Sequence, residues 1–81
     1  MTTQSGTGLV EVLIGIWEEA LGMADIGMEE NFFDLGGDSM AATTIATRIQ
    51  RELGQEVPIR LIFNHPTVAE LAAALSVEAV A

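Results

Sequence analysis

The sequence predicts an all-α domain: a small four-helix bundle of three main helices and one short helix, with a long first loop. Three observations predict it. Apolar residues recur at helical spacing in several segments, no segment alternates convincingly at the two-residue period of a strand, and typical helix starts and stops flank the periodic segments. The 81 residues suffice for one small domain.

The first predicted helix runs from Leu9 to Leu21 and ends at Gly22, a residue type that often follows the last helical turn. Its apolar residues share one face of a helical wheel, with Glu11 and Glu18 opposite, so we expect that face to lie in the core. The apolar face consists of Leu9, Leu13, Ile16, Trp17, Ala20 and Leu21.

A long connection from Gly22 to Asp38 follows the first helix. Connections beyond about 12 residues are uncommon in compact domains and are often functional or internally packed. This one carries apolar residues among its acids, so we expect them to pack beneath the helices and to hold the end of the loop in place. These residues are Ile26, Phe32, Phe33 and Leu35.

The second predicted helix runs from Ser39 to Leu53, before Gly54. Asp38 is a favourable N-cap, because its carboxylate can accept hydrogen bonds from the first turn and suits the positive end of the helix dipole. We expect the core face of this helix to consist of Ala42, Ile45, Ala46, Ile49 and Leu53.

A connector at residues 55–58 leads to a short helical turn from Ile59 to Phe63. Thr67 and Glu70 match a capping box, which predicts a last helix that starts after Thr67 and runs to about Ser76. The expected core residues of these two helices are Ile59, Ile62, Phe63, Val68, Leu71, Ala72 and Leu75. We therefore expect a domain over residues 9–76, a flexible lead-in over residues 1–8 and a tail over residues 77–81.

The composition excludes several classes of function. Twelve acidic residues against three arginines give a net charge of −9, which disfavours nucleic acid and anionic membranes and favours partners with basic patches. Without cysteine there is no disulfide and no thiolate metal site, which suits the cytoplasm. No apolar run is long enough for a bilayer, and the first eight residues lack signal-peptide features.

The most informative segment is residues 31–40, where Ser39 directly follows Asp38 at the point at which a glycine-rich loop becomes a helix. Gly36 and Gly37 allow a tight loop and leave room for an approaching partner. The start of a helix also offers backbone N–H groups to an anionic group. An Asp-Ser pair alone would be an ordinary helix start, and the preceding Phe-Phe-Asp-Leu-Gly-Gly sets this one apart.

This segment resembles the attachment site of carrier-protein domains, most closely the peptidyl carrier (thiolation) domains of nonribosomal peptide synthetases. The resemblance extends in order over about residues 9–75 and includes Ile16, Trp17 and Leu21 as well as residues 57–63 and 65–71. It implies that Ser39 carries a 4'-phosphopantetheine arm, derived from coenzyme A, that holds an aminoacyl or peptidyl thioester. The other residues of the attachment motif are then Leu35, Gly36, Gly37, Asp38 and Met40.

The resemblance also implies the partners of the chain. They are a phosphopantetheinyl transferase, an adenylation domain, and a condensation, epimerisation, tailoring or thioesterase domain. The chain itself is then a monomeric, cytoplasmic carrier without catalytic activity. Two alternatives stay open: an acyl carrier protein of fatty-acid or polyketide synthesis, and an acidic helical interaction module that is never modified.

A candidate docking surface lies around the start of the second helix and on the third helix. Met40 falls away from the apolar arc of its helix, and an exposed methionine suits an adaptable docking surface; alternatively it packs onto the first loop. The resemblance implies that Leu61 is exposed, although packing of Leu61 is an equal alternative. The candidate residues are Met40, Thr43, Thr44, Arg60 and Leu61.

Hydrolytic and metal-dependent functions find little support. A nucleophilic serine needs a base and a group that orients the base, and His65 is the single histidine of the chain. The acidic residues Glu29, Glu30, Asp34 and Asp38 do not have the spacing of an EF-hand loop, so we expect no metal site.

Overall fold

The computed structural model describes the backbone of residues 7–80 and the side chains of residues 8–76. That part of the chain forms four helices, three long and one short, which confirms the predicted all-α fold. None of the helices so described is long and apolar enough to cross a membrane. The helices are α1 (Thr7–Leu21), α2 (Ser39–Leu53), α3 (Ile59–Asn64) and α4 (Val68–Val80).

The ends of the helices follow local signals for the most part. Helix α2 has the predicted bounds, and Gly54 after it adopts the left-handed conformation with φ 70°. Thr67 Oγ1 accepts a hydrogen bond from the N–H of Glu70 at 3.1 Å, which confirms Thr67 as a helix cap.

Three boundaries differ from the prediction, and the smallest difference is at α3, which ends at Asn64 instead of Phe63. Helix α1 already includes Thr7 and Gly8, and the rest of the predicted lead-in, residues 1–6, lies outside the described residues. Helix α4 continues past Ser76 to Val80, so residues 77–80 of the predicted tail are helical, and Ala81 lies outside the described residues. The extension is physically reasonable because neither glycine nor proline follows Ser76 to end the helix.

The core is a single apolar cluster to which all four helices and the first loop contribute, and α1 packs against both α2 and α4. Among the described side chains, no polar or charged residue is buried. The buried residues are Leu13, Ile16, Trp17, Ile26, Phe32, Ala42, Ile45, Ile49, Val57, Ile62, Val68, Leu71, Ala72 and Leu75. Most of the predicted core is therefore confirmed, and the whole predicted face of α4 is buried.

Two residues predicted to be in the core lie at the surface. Phe33 is 49% exposed, because adjacent residues of its turn point in different directions and Phe32 occupies the interior. Ile59 is also exposed, because it is the first residue of a short helix in which Ile62 fills the buried position. The remaining predicted core residues pack against the cluster with partial exposure, namely Leu9, Ala20, Leu21, Leu35, Ala46, Leu53 and Phe63.

Phe32 attaches the first loop to the helices. Its ring is fully buried and meets Trp17 of α1 edge to face, with ring centroids 5.4 Å apart. Its backbone N–H donates to the carbonyl oxygen of Pro66 at 2.6 Å. The N–H of Ala69 donates to the carbonyl oxygen of Met28, also in the loop, at 3.0 Å. The loop is thus joined to α1 by its side chain and to the start of α4 by its backbone.

A polar contact supports the other end of the loop. A side-chain oxygen of Glu18 accepts a hydrogen bond from the N–H of Ile26 at 3.1 Å. Glu18 lies opposite the apolar face of α1, but its side chain binds the loop instead of contacting only water. Such a bond between a carboxylate and a loop N–H restricts the loop where it leaves α1.

Truncation of the buried aromatic residue tests this attachment. Phe32→Ala is expected to lower the free energy of unfolding by about 3–5 kcal/mol, because it removes a fully buried ring and leaves a cavity. Urea titration followed by circular dichroism measures the loss. Phe33→Ala is the matched control and is expected to lose about 1 kcal/mol, because much of that ring already contacts water. Equal losses in the two variants would contradict the assignment of Phe32 as the anchor.

Candidate functional site

Ser39 is the first residue of α2 and is exposed. The preceding residue, Asp38, has the extended conformation of an N-cap, and its Oδ1 accepts a hydrogen bond from the N–H of Ala41 at 3.0 Å. Thr43 Oγ1 donates to the carbonyl oxygen of Ser39 at 2.9 Å. The backbone around Ser39 is therefore fixed from both sides, and the residue remains accessible from solvent.

The segment before the glycines is a tight turn organised by Asn31. Its Oδ1 accepts hydrogen bonds from the N–H groups of Phe33 at 2.8 Å and Asp34 at 3.4 Å. The N–H of Gly36 donates to the carbonyl oxygen of Phe33 at 3.1 Å. Gly36 then has a φ of 89°, a left-handed conformation that glycine adopts without strain, and the chain turns towards α2.

Gly37 is required by a contact inside the domain. The N–H of Gly37 donates to the carbonyl oxygen of Phe32 at 2.9 Å. A Cβ atom at this position would overlap three carbons of the Phe32 ring. Sequence reasoning related Gly37 to the approach of a partner, and it missed this internal role because the Phe32 ring comes close only in the folded chain.

A shallow groove of about 380 Å³ lies beside Ser39. Both neighbours of Ser39 line it, and its opposite wall belongs to the end of α1. It combines apolar surface with backbone and hydroxyl groups, so an extended chain with polar and apolar segments would fit. The lining residues are Ala20, Leu21, Leu35, Gly36, Asp38, Met40, Ala41 and Thr44.

Four of the five candidate docking residues are exposed. Met40 is 78% exposed, which rules out the alternative in which it packs onto the first loop. Thr43, Thr44 and Arg60 are also exposed. Leu61 is partly buried against the core, so the packed alternative holds for this residue. A role of this surface in docking stays a prediction.

The other charged and titratable side chains that the sequence analysis considered, and Arg48 on α2, take structural positions. In the described part of the chain no cluster of three or more His, Cys, Asp or Glu residues could hold a metal ion. Arg48 bridges α1 and α2, because it pairs with Glu19 and donates to Glu52 at 2.9 Å. The hydrogen bond with Glu52, followed in size by the hydrogen bond with Glu19, raises the pKa of Arg48. His65 ends α3 through its backbone N–H, which donates to the carbonyl oxygen of Leu61 at 3.0 Å.

Comparison with known proteins gives consistent results. Residues 11–75 match the protein family described as phosphopantetheine attachment site. The chain is 52% identical over 62 residues to CymA of Salinispora arenicola, a probable non-canonical nonribosomal peptide synthetase, and the match covers 76% of this chain and 1% of that protein. It is 45% identical over 74 residues to surfactin synthase subunit 2 of Bacillus subtilis, with 91% and 2% covered. The chain thus spans only a small fraction of the length of these relatives.

Solved structures with the same fold include two carrier proteins. BlmI, a type-II acyl carrier protein from Streptomyces verticillus involved in bleomycin biosynthesis, is 30% identical with a TM-score of 0.85, over 89% of this chain and 87% of that one. A structure of the phosphopantetheine transferase Sfp with coenzyme A and a peptidyl carrier protein matches at 33% identity and a TM-score of 0.82. That match covers 93% of this chain and 94% of the other.

The internal role of Gly37 leads to a stability prediction. Gly37→Ala is expected to lower the free energy of unfolding by about 1–3 kcal/mol, because the added methyl group overpacks the Phe32 ring. Gly15→Ala is the control, because Gly15 lies in α1 with no atom near its Cβ position. That substitution is expected to raise stability by about 0.5–1 kcal/mol through helix propensity. Urea unfolding of both variants measures the difference, and a neutral Gly37→Ala would contradict the contact.

The cap at the start of α2 can be tested in the same way. Asp38→Ala is expected to lower the free energy of unfolding by about 1 kcal/mol, because the bond to the N–H of Ala41 is lost. Asp38→Asn keeps an acceptor oxygen and is expected to lose less than about 0.5 kcal/mol. Thermal and urea unfolding measure both values. A similar loss in the two variants would show that the hydrogen bond is not the source of the stabilisation.

Proposed function

The chain belongs to the phosphopantetheine attachment site family, and from this premise we propose that it is a peptidyl carrier domain with Ser39 as the attachment residue. The observation that carries the assignment is the position of Ser39. It is an exposed serine at the first position of α2, directly after a loop that is fixed by buried contacts. An enzyme can therefore reach its hydroxyl group without any opening of the domain.

The residues around Ser39 fit the phosphopantetheine group. The start of α2 offers backbone N–H groups and the positive end of a helix dipole to the phosphodiester. Asp38 partly offsets this field, so we assign it to the cap and to recognition. The groove beside Ser39 has the mixed polar and apolar lining that suits an extended amide chain.

In the attachment reaction this chain supplies the attacking atom, the hydroxyl oxygen of Ser39. The Ser39 oxygen forms a bond to the β-phosphorus of coenzyme A while the phosphoanhydride bond breaks. The proton of the hydroxyl group passes to a base of the transferase, and adenosine 3',5'-bisphosphate leaves. When bound, the group supplies a thiol that carries an aminoacyl or peptidyl unit as a thioester. The domain itself positions and presents this cargo and has no catalytic role.

The similarity to nonribosomal peptide synthetases, and to a carrier protein solved with the transferase Sfp, supports the proposed partners. They are a phosphopantetheinyl transferase, an adenylation domain, and a condensation, epimerisation, tailoring or thioesterase domain. The net charge of −9 favours partner surfaces with basic residues. Tethering gives the cargo a high effective concentration at each partner, so each contact can be weak enough to release the carrier. We propose a cytoplasmic monomer whose carrier domain spans about residues 9–76.

Intact-mass measurement tests the assignment of Ser39. The chain is incubated with coenzyme A and a broad-specificity phosphopantetheinyl transferase, and we expect a gain of one phosphopantetheine group. Ser39→Ala is expected to gain nothing, because it lacks the attacking oxygen. Ser76→Ala is the matched control, since Ser76 is also exposed, and it is expected to be modified like the wild type.

The alternatives give different results in the same assay. An interaction module that is never modified would show no gain of mass in any variant while a known carrier is modified in parallel. Modification of the Ser39→Ala variant would show that another residue is the attachment site. For the modified chain, loading by an amino-acid-specific adenylation enzyme supports a peptidyl carrier, whereas loading by an acyl transferase alone supports an acyl carrier of fatty-acid or polyketide synthesis.

A further inference from the structure

We propose that the exposed ring of Phe33 is an anchor of the surface on which the phosphopantetheinyl transferase docks, an inference that rests on the proposed function. Phe33 is 49% exposed, although its apolar character led to the expectation of burial. A large aromatic ring at the surface is common enough by itself. The ring of Phe33 is different because it is held in place and has a fixed position relative to Ser39, which are the properties of a binding anchor.

The ring of Phe33 is held in place before any partner arrives. It meets the ring of Phe32 edge to face at 5.5 Å and packs at a tilt of 31° against Phe63 at 5.6 Å. Its backbone N–H is bound to Asn31 Oδ1 at 2.8 Å. A side chain that is already ordered loses little conformational entropy on binding, and such rigid aromatic residues are frequent in binding hot spots.

Phe33 is also fixed relative to Ser39. Its carbonyl oxygen accepts the N–H of Gly36 at 3.1 Å, and its ring contacts Phe32, which lies directly against Gly37. Gly37 and Asp38 lead straight into Ser39 at the start of α2. The turn that presents Phe33 therefore keeps a constant position relative to Ser39, which lies six residues further along the chain.

The transferase is the occupant that the chemistry favours. It must recognise the chain before any group is attached, so its affinity has to come from the protein surface alone. Asp34, next to Phe33, is exposed, and the chain has a net charge of −9. The complementary surface is therefore an apolar socket with lysine or arginine at its rim. A peptidyl carrier protein of similar fold is found in a structure with the transferase Sfp and coenzyme A.

Steady-state kinetics with a phosphopantetheinyl transferase and saturating coenzyme A test the inference. The concentration of the carrier chain is varied, and Phe33→Ala is expected to raise its KM about 10-fold with little change in kcat, as for the loss of an anchor residue. Phe33→Leu keeps an apolar side chain at the same position. Its KM is expected to lie between those of the wild type and Phe33→Ala. Met23→Ala is the control, because Met23 is exposed to a similar extent, 41%, in the same loop.

The outcomes separate this inference from the proposed function. End-point mass measurement shows whether each chain is modified at all, and an unmodified wild type would overturn the proposed function itself. Complete modification with an unchanged KM for both Phe33 variants would overturn the inference alone. A raised KM shared by Met23→Ala would also overturn it, because the effect would not be specific to the ring. An effect confined to loading by an adenylation enzyme would assign the ring to that partner instead of the transferase.

Discussion

The contact between the Phe32 ring and the backbone of Gly37 is the constraint on which the site depends. The ring is fully buried beside Trp17, and there is no space for a side chain on the glycine above it. This contact joins the end of a long loop to the core two residues before Ser39. A loop of this length would otherwise allow its end many positions relative to the helices. Because the end is fixed, Ser39 has a defined place without being buried.

The same turn places two adjacent, identical side chains in different environments. Phe32 and Phe33 are adjacent and identical, yet one ring is in the core and the other is half exposed. Asn31 sets this arrangement, because its side chain binds the N–H of Phe33 and fixes the conformation of the turn. The interior residue holds the loop, and the exterior residue is available to a partner. A small domain thereby exposes an apolar ring close in sequence to the proposed attachment residue, Ser39, without giving up core packing.

The core also shows where packing is favoured over hydrogen bonding. The Trp17 ring is fully buried, and its Nε1 has no hydrogen-bond partner in the described part of the chain. A buried donor without a partner costs roughly 1–3 kcal/mol. Burial of the large ring and its edge-to-face contact with Phe32 offset that cost. The large apolar surface of Trp17 thereby lies where the loop attaches.

Local signals in the sequence determined the helices, the caps Asp38 and Thr67 and the attachment motif itself. Such signals act within a few residues, so the sequence alone was sufficient to locate them. It could not distinguish Phe32 from Phe33, because both have the same side chain and only contacts with the distant Trp17 and Pro66 decide which is buried. For the same reason the internal role of Gly37 and the partial burial of Leu61 were decided by the tertiary structure, which brings together residues that no local pattern relates.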